Sequence, residues 1–299
     1  KIADGKTRSS PAIADIDHDG HPDVAFGVGS TLYALNNKGQ PLSGFPVELS
    51  PDAEGVAEFG ASVGVCDLAG AGRLSIVTGG ADTRLYVVES NGISHAGFPV
   101  DVGGQVAGAP LCAAGNGDGR PEIFAVVPGK KIVGFSPDGK SLPGFPVTTF
   151  LPADGVIAAA NLRPDAAFDL VVGGEDGALH FFDVRGRELP DRRVKTSYRI
   201  SGGPAIGDVD GNNVYDVVFG SQDFNIYAVE GTSNQAKSGF PIQTGYRIYG
   251  EPALGDLDGD GVADIVVGSG DKKIYAVSGK GKPLAGWPVQ LPGQVKSSP

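Results

Sequence analysis

At 299 residues, with 40% hydrophobic and 20% charged side chains, the chain can bury a sizeable core, but 48 Gly and 22 Pro interrupt it too often for long helices and favour an all-β fold. No run of about 18 apolar residues exists and Lys1 opens no charged-then-apolar leader, so the sequence reads as soluble, without a transmembrane segment. A net charge of −11 argues against nucleic acid or an anionic membrane as partner and suits a protein that holds cations.

Taken in order, the chain repeats itself. The first unit opens "PAIADIDHDGHPDVAFG" from Pro11, continues through Leu32-Tyr33-Ala34-Leu35, and reaches "GFPV" at Gly44. The second runs "SVGVCDLAGAGRLSIVTG" from Ser62, Leu85-Tyr86-Val87-Val88, and "GFPV" at Gly97. The third runs "PLCAAGNGDGRPEIFAV" from Pro110, Ile132-Val133-Gly134-Phe135, and "GFPV" at Gly144. In the fourth, "VIAAANLRPDAAFDLVVG" from Val156 and Leu179-His180-Phe181-Phe182 are followed by "ELPD" from Glu188 where the others have their Gly-aromatic-Pro run. The fifth has "PAIGDVDGNNVYDVVFG" from Pro204, Ile226-Tyr227-Ala228-Val229, and "GFPI" at Gly239. The sixth has "PALGDLDGDGVADIVVG" from Pro252, Ile274-Tyr275-Ala276-Val277, and "GWPV" at Gly286.

A period of roughly 48 residues lies in the range of propeller blades, outside helical repeats and heptads. Each unit predicts four short strands: into the acidic loop, out of it, the "LYAL" run and the "FPV" run. Proline in the last belongs on an edge strand because it cannot donate to a ladder. The Phe or Trp beside it is expected to pack between blades. The reading is a single six-bladed β-propeller domain spanning 1–299, with repeats at about 7–58, 59–106, 107–153, 154–200, 201–248 and 249–299. Because Ser297-Ser298-Pro299 repeats Ser9-Ser10-Pro11, a seven-bladed parent lacking one blade is the alternative, and the absence of Met suggests a processed form or part of a larger chain. Cys66 and Cys112, in short apolar runs, read as small buried thiols, a bridge between them being left open.

The acidic stretch has the chemistry of a metal loop. Carboxylates on alternate residues, a Gly and a further Asp supply hard oxygen ligands, with a main-chain carbonyl at position seven, and suit Ca²⁺. Position twelve is Phe26, Phe219 or Val267 where an EF-hand needs a bidentate Glu, so an EF-hand is excluded and a calcium-bridged turn between strands is expected. Three loops are complete: Asp15, Asp17, Asp19, His21 and Asp23; Asp208, Asp210, Asn212, Val214 and Asp216; Asp256, Asp258, Asp260, Val262 and Asp264. In the second unit only Asp67 survives, with Ala69, Ala71 and Ser75 at the other positions, and no ion is expected. The third has Ala114 in first place and keeps Asn116, Asp118 and Glu122, at best a weak fourth site. In the fourth, Arg163 stands among Asn161, Asp165 and Asp169, where its guanidinium is expected to replace the ion by pairing with the two carboxylates.

This phased pattern resembles the FG-GAP or VCBS repeats of integrin-α-like propellers. The second unit begins "FGASV" at Phe59 and reaches Gly79-Gly80. The resemblance implies structural calcium on one face and partners at the opposite face. "VVGSGDKKIYAVSGKGKPLAGWPV" is also similar to quinoprotein dehydrogenase propeller repeats, which carry a docking Trp in most blades where this chain has only Trp287.

The four histidines, His18, His21, His95 and His180, belong to no catalytic motif, and no HExxH, GxSxG or Walker-type loop is present. The connections "TSYRISGGP" from Thr196 and "TGYRIYGEP" from Thr244 gather Tyr198, Arg199, Tyr246, Arg247 and Tyr249 in an otherwise acidic chain, with Lys6 at the matching place in the first unit. Tyr and Arg are common binding anchors. The alternative role is packing between blades, with Arg reaching to solvent. The expected function is a non-catalytic, calcium-stabilised recognition or adhesion module that binds a protein or carbohydrate. It would work in an extracellular, cell-surface or periplasmic setting. The competing classes are an extracellular enzyme on a propeller scaffold, quinoprotein-type or polysaccharide-cleaving, and a structural spacer of a larger secreted protein.

Overall fold

The structure, a computed structural model, describes residues 10–49, 62–70, 72–80, 82–115, 119–128, 131–148, 155–164 and 167–298. Lys6, Phe59, Ala71, Asn116, Asp118 and Asp165 lie outside them. Six antiparallel sheets of four strands form, each a meander in which strands pair in chain order. The fold is an all-β, six-bladed propeller. In the first blade the strands are Ala12–Ala14, Asp23–Val28, Thr31–Leu35 and Val47–Glu48, matching the four runs read from the sequence. Among the described residues the only helix is the 3-10 turn Pro190–Arg192, so no helix is long and apolar enough to cross a membrane.

The chain divides into two compact units, 1–148 and 149–299, each holding three blades. In the first, Ala25, Leu32, Ala34 and Phe45 of blade one pack with Ile76, Tyr86 and Val88 of blade two. Leu85, Val87 and Phe98 of blade two pack in turn with Ile123, Ala125 and Val133 of blade three. The second unit repeats the scheme. Val171, Leu179 and Phe181 of blade four meet Val217, Phe219 and Val229 of blade five, and Val218, Ile226 and Ala228 of blade five meet Ile265 and Val267 of blade six. Second strands such as Ser75–Gly79 and Asp216–Gly220 are buried along their whole length, because they are flanked on both edges and covered on both faces. At about 1.5–3 kcal/mol for each fully buried large apolar side chain, this packing between sheets outweighs anything one isolated sheet could gain.

Phe45, Phe98 and Phe240 sit in these inter-blade clusters as expected, each followed by a cis proline at the start of the edge strand. Trp287 is half-buried at the matching place in blade six. The preceding Gly is required by space: at Gly44, with φ 84°, a Cβ would lie 1.8 Å from the Asn91 carbonyl oxygen of the next blade. Blade four lacks the run, and Arg192 takes the aromatic's place. Its guanidinium lies 5.1 Å from the centre of the Phe181 ring and donates to the Gly231 carbonyl and, at 3.2 Å, to Asn234 Oδ1 in blade five.

One expectation is corrected. Cys66 and Cys112 are joined in a disulfide between the first strands of blades two and three. Cys112 precedes by one residue the place equivalent to Cys66, and side chains alternate along a strand, so the two thiols emerge on the faces that look toward each other across the blade boundary. Closing a loop of 46 residues this way stabilises the fold by about 4 kcal/mol on chain-entropy grounds. The double variant Cys66→Ser/Cys112→Ser is expected to lose most of that in urea titration. Adding reductant to the native protein should lower its midpoint similarly and leave the variant's unchanged.

Candidate metal centres and a candidate binding face

The acidic loops are built alike. The last Asp of each complete loop begins the second strand and is withdrawn from solvent, where one of its oxygens braces the loop entry: Asp23 Oδ2 accepts the Ile16 amide at 2.8 Å, Asp216 Oδ2 that of Val209 at 3.1 Å, and Asp264 Oδ2 that of Leu257 at 2.9 Å. The position-seven residues His21, Val214 and Val262 donate their amides to the carboxylate or amide oxygens of Asp19, Asn212 and Asp260 at 2.8, 2.7 and 2.8 Å. In blade one the carboxylates of Asp15, Asp17 and Asp19 bring oxygens within 4.8 Å of one another, as do those of Asp256, Asp258 and Asp260 in blade six.

Blade one fits a cation best. Asp15 Oδ1 and Asp23 Oδ1 are buried without a hydrogen-bond donor, and burial pushes the Asp23 carboxyl above its ordinary range. A buried bare carboxylate oxygen is costly, and a hard divalent ion supplies the missing charge. Blade six offers the equivalent three carboxylates on an exposed loop, and Leu284 lines a surface recess with Asp258, Asp260 and Asp264.

Blade five differs. Asp208, Asp210 and Asp216 converge as expected, but the Lys237 ammonium lies 2.6 Å from Asp210 Oδ2 and 3.0 Å from Asp216 Oδ1, the latter an ion pair not aligned as a hydrogen bond. Burial opposes the charge on Lys237, yet its pairing with Asp210 and Asp216 prevails and raises its pKa. Burial likewise raises the Asp216 carboxyl despite the lysine. The sequence reading missed Lys237, although the signal was present: Leu42, Leu142, Leu189 and Leu284 occupy the same place in four other repeats.

Among the incomplete loops, Asp67 in blade two accepts the Gly72 amide at 2.7 Å, and Ser75 donates to Glu89 at 3.3 Å. In blade three, Glu122 Oε2 accepts the Gly115 amide at 2.8 Å while its other oxygen has no donor. In blade four the Arg163 Nε reaches both oxygens of the fully buried Asp169 at 3.0 and 2.9 Å, the substitution expected for that carboxylate. His180, buried where Tyr86, Tyr227 and Tyr275 stand in other blades, places Nδ1 2.7 Å from Glu188 and Nε2 3.0 Å from Asp176, a structural clamp.

The Tyr-Arg connections join an edge strand to the next blade's first strand, so the meander puts them at the blade end opposite the acidic loops. Packing falls to the residue after Arg. Ile200 and Ile248 are fully buried, and a Cβ on Gly220 would come 2.2 Å from Ile248 Cγ2. Tyr198 and Tyr246 remain 44% and 39% exposed, with the Arg247 guanidinium 5.3 and 5.9 Å from their ring centres. Arg199 lies 5.7 Å from the Tyr198 ring and 3.8 Å from Glu175, and Lys296 5.7 Å from the Tyr249 ring. The connections are braced from below: Asp223 accepts the Ser197 amide and the Tyr227 hydroxyl, and Asp271 accepts the Gly245 amide and the Tyr275 hydroxyl. Burial and then Asp271 push the Tyr275 phenol up to about 12, so it stays a donor at neutral pH.

No protein-family model and no curated protein matches the chain. Solved structures do. BBS1N, crystallised in complex with ARL6DN, is 12% identical with a TM-score of 0.66 over 99% of this chain and 86% of that one. The computationally designed Ika8 protein is 15% identical with a TM-score of 0.65 over 97% and 76%, and BamB from Moraxella catarrhalis 14% identical with a TM-score of 0.57 over 97% and 93%. At such identities the likeness is one of fold, and BBS1N and BamB are β-propellers.

Replacing Arg163 by Leu would strand the buried Asp169 carboxylate. Chemical denaturation is expected to show a loss of about 3–5 kcal/mol, and the double variant Arg163→Leu/Asp169→Leu to recover much of it.

Proposed function

We propose that the chain is a non-catalytic recognition module of the FG-GAP or VCBS type, stabilised by calcium in its acidic loops and binding a protein partner through the Tyr-Arg face. The observation that carries the binding role is the exposed Tyr198 and Tyr246 with the half-buried Arg199 and Arg247 against their rings, on connections whose packing is already supplied by Ile200 and Ile248. Aromatic and guanidinium groups held in place lose little entropy on binding, and such residues dominate interface energies. Their positive charge in a chain of net charge −11 selects a carboxylate-bearing partner. The BBS1N propeller, solved in complex with ARL6DN, is an instance of this fold engaging a protein.

Calcium is supported by the bare buried oxygens of Asp15 and Asp23. Its proposed role is to bridge the first and second strands of a blade. The Cys66–Cys112 disulfide suits an extracellular, cell-surface or periplasmic setting, where calcium for the acidic loops would be plentiful.

Each calcium loop at a hundredfold excess over its Kd should add about 2.7 kcal/mol. Thermal melts in calcium and in chelator are therefore expected to differ by several degrees, and coincident curves would remove calcium from the account. For the binding face, capture of a carboxylate-rich protein in pull-down should weaken at least tenfold in Arg199→Ala and Arg247→Ala, with a glycan array run beside it as the control. Retained binding in both would move the partner elsewhere, glycan capture would replace the protein partner by a carbohydrate, and turnover of a captured polysaccharide would replace recognition by catalysis.

A further inference from the structure

We propose that Lys237 is a tethered cation that stands in for calcium in blade five, so that this loop, complete by sequence, takes no ion. The inference rests on the calcium reading of blades one and six. Lys237 enters from the turn before the edge strand, which the meander places at the same blade end as the acidic loop, and its side chain is only 9% exposed. The ammonium engages Asp210 at position three and the fully buried Asp216 at position nine.

The first ligand is committed as well. Asp208 Oδ1 accepts the amides of Asp210, Gly211 and Asn212, and Oδ2 that of Asn213. In blade one the equivalent Asp15 accepts the Gly20 amide on Oδ2 and leaves Oδ1 bare. With neutral Asn212 at position five, blade five also carries one carboxylate fewer than blades one and six. A calcium ion there would have to expel a buried ammonium or accept its repulsion at short range.

The same chain uses the device once more. In blade four Arg163 forks the buried Asp169, equivalent to Asp216. Blades one and six, whose loops have no such internal cation among the described residues, carry Leu42 and Leu284 where blade five carries Lys237.

Calcium stoichiometry of the whole chain by isothermal titration calorimetry tests the assignment. The native protein is expected to bind two ions and Lys237→Leu three. In chelator, Lys237→Leu should melt on the order of 10 °C lower, because removing one partner strands two carboxylates, and calcium should restore most of the loss. Should Lys237→Leu fail to fold, Asp17→Ala/Asp258→Ala, which keeps Lys237, is expected to bind none. Three ions in the native protein, or one remaining in Asp17→Ala/Asp258→Ala, would overturn the assignment while leaving calcium elsewhere intact. No ion in the native protein but one in Lys237→Leu would uphold it and remove calcium from blades one and six. No ion in either would remove both.

Discussion

A four-stranded sheet with two apolar faces cannot satisfy either face alone, and the rest of this structure depends on that constraint. Second strands such as Ser75–Gly79 are buried at every position and must be covered on both sides. Successive sheets within each unit supply the cover, so the apolar clusters lie between blades. Three features of this chain act on that boundary. The Cys66–Cys112 disulfide ties one, the Gly-aromatic-Pro runs wedge others, and Arg192 with Asn234 replaces the wedge where the run is lost.

The acidic loop is the second recurring element, and its logic is that of a buried charge. The carboxylate at position nine is drawn into the sheet because one oxygen must accept the amides at the loop entry, and this leaves the other oxygen to be neutralised. The repeats meet that requirement in different ways. Blade one leaves that oxygen without a donor, the gap the proposed calcium would fill, while blade four answers with a guanidinium and blade five with an ammonium. Blade two removes the charge by having Ser75 at that place. Loss of the DxDxDG pattern therefore accompanies a change in how one charge is balanced.

The meander separates chemistry by polarity of the chain. Loops between first and second strands and turns before the edge strand share one end of a blade. The connection to the next blade and the turn between second and third strands share the other. Cation-demanding groups occupy the first end, and the Tyr-Arg connections, braced by Asp223 and Asp271, occupy the second. Rigid support under an aromatic and basic surface suits the recognition role proposed for that end, and the acidic loops lie apart from it at the other.

Period, strand count and strand order were all legible in the sequence, because strand alternation, turn glycines and edge prolines are local properties that a single repeat displays. So was the convergence of Asp15, Asp17 and Asp19, since side chains on alternate residues of one turn must share a side. The burial of Ile200 and Ile248 beneath their exposed Tyr-Arg neighbours was not, because it depends on the close approach of Gly173 and Gly220 in a different strand. The disulfide was half visible: the one-residue offset between Cys66 and Cys112 carries the parity, but only the juxtaposition of two first strands brings the thiols together. Lys237 shows the boundary most sharply. Five oxygen-bearing positions made blade five look like the first and sixth, while the cation that answers them lies 21 residues beyond Asp216, in a turn that only strand pairing returns to the loop. Local spacing determines which charges gather, and tertiary structure decides what neutralises them, because a counter-charge acts through distance in space and not along the chain.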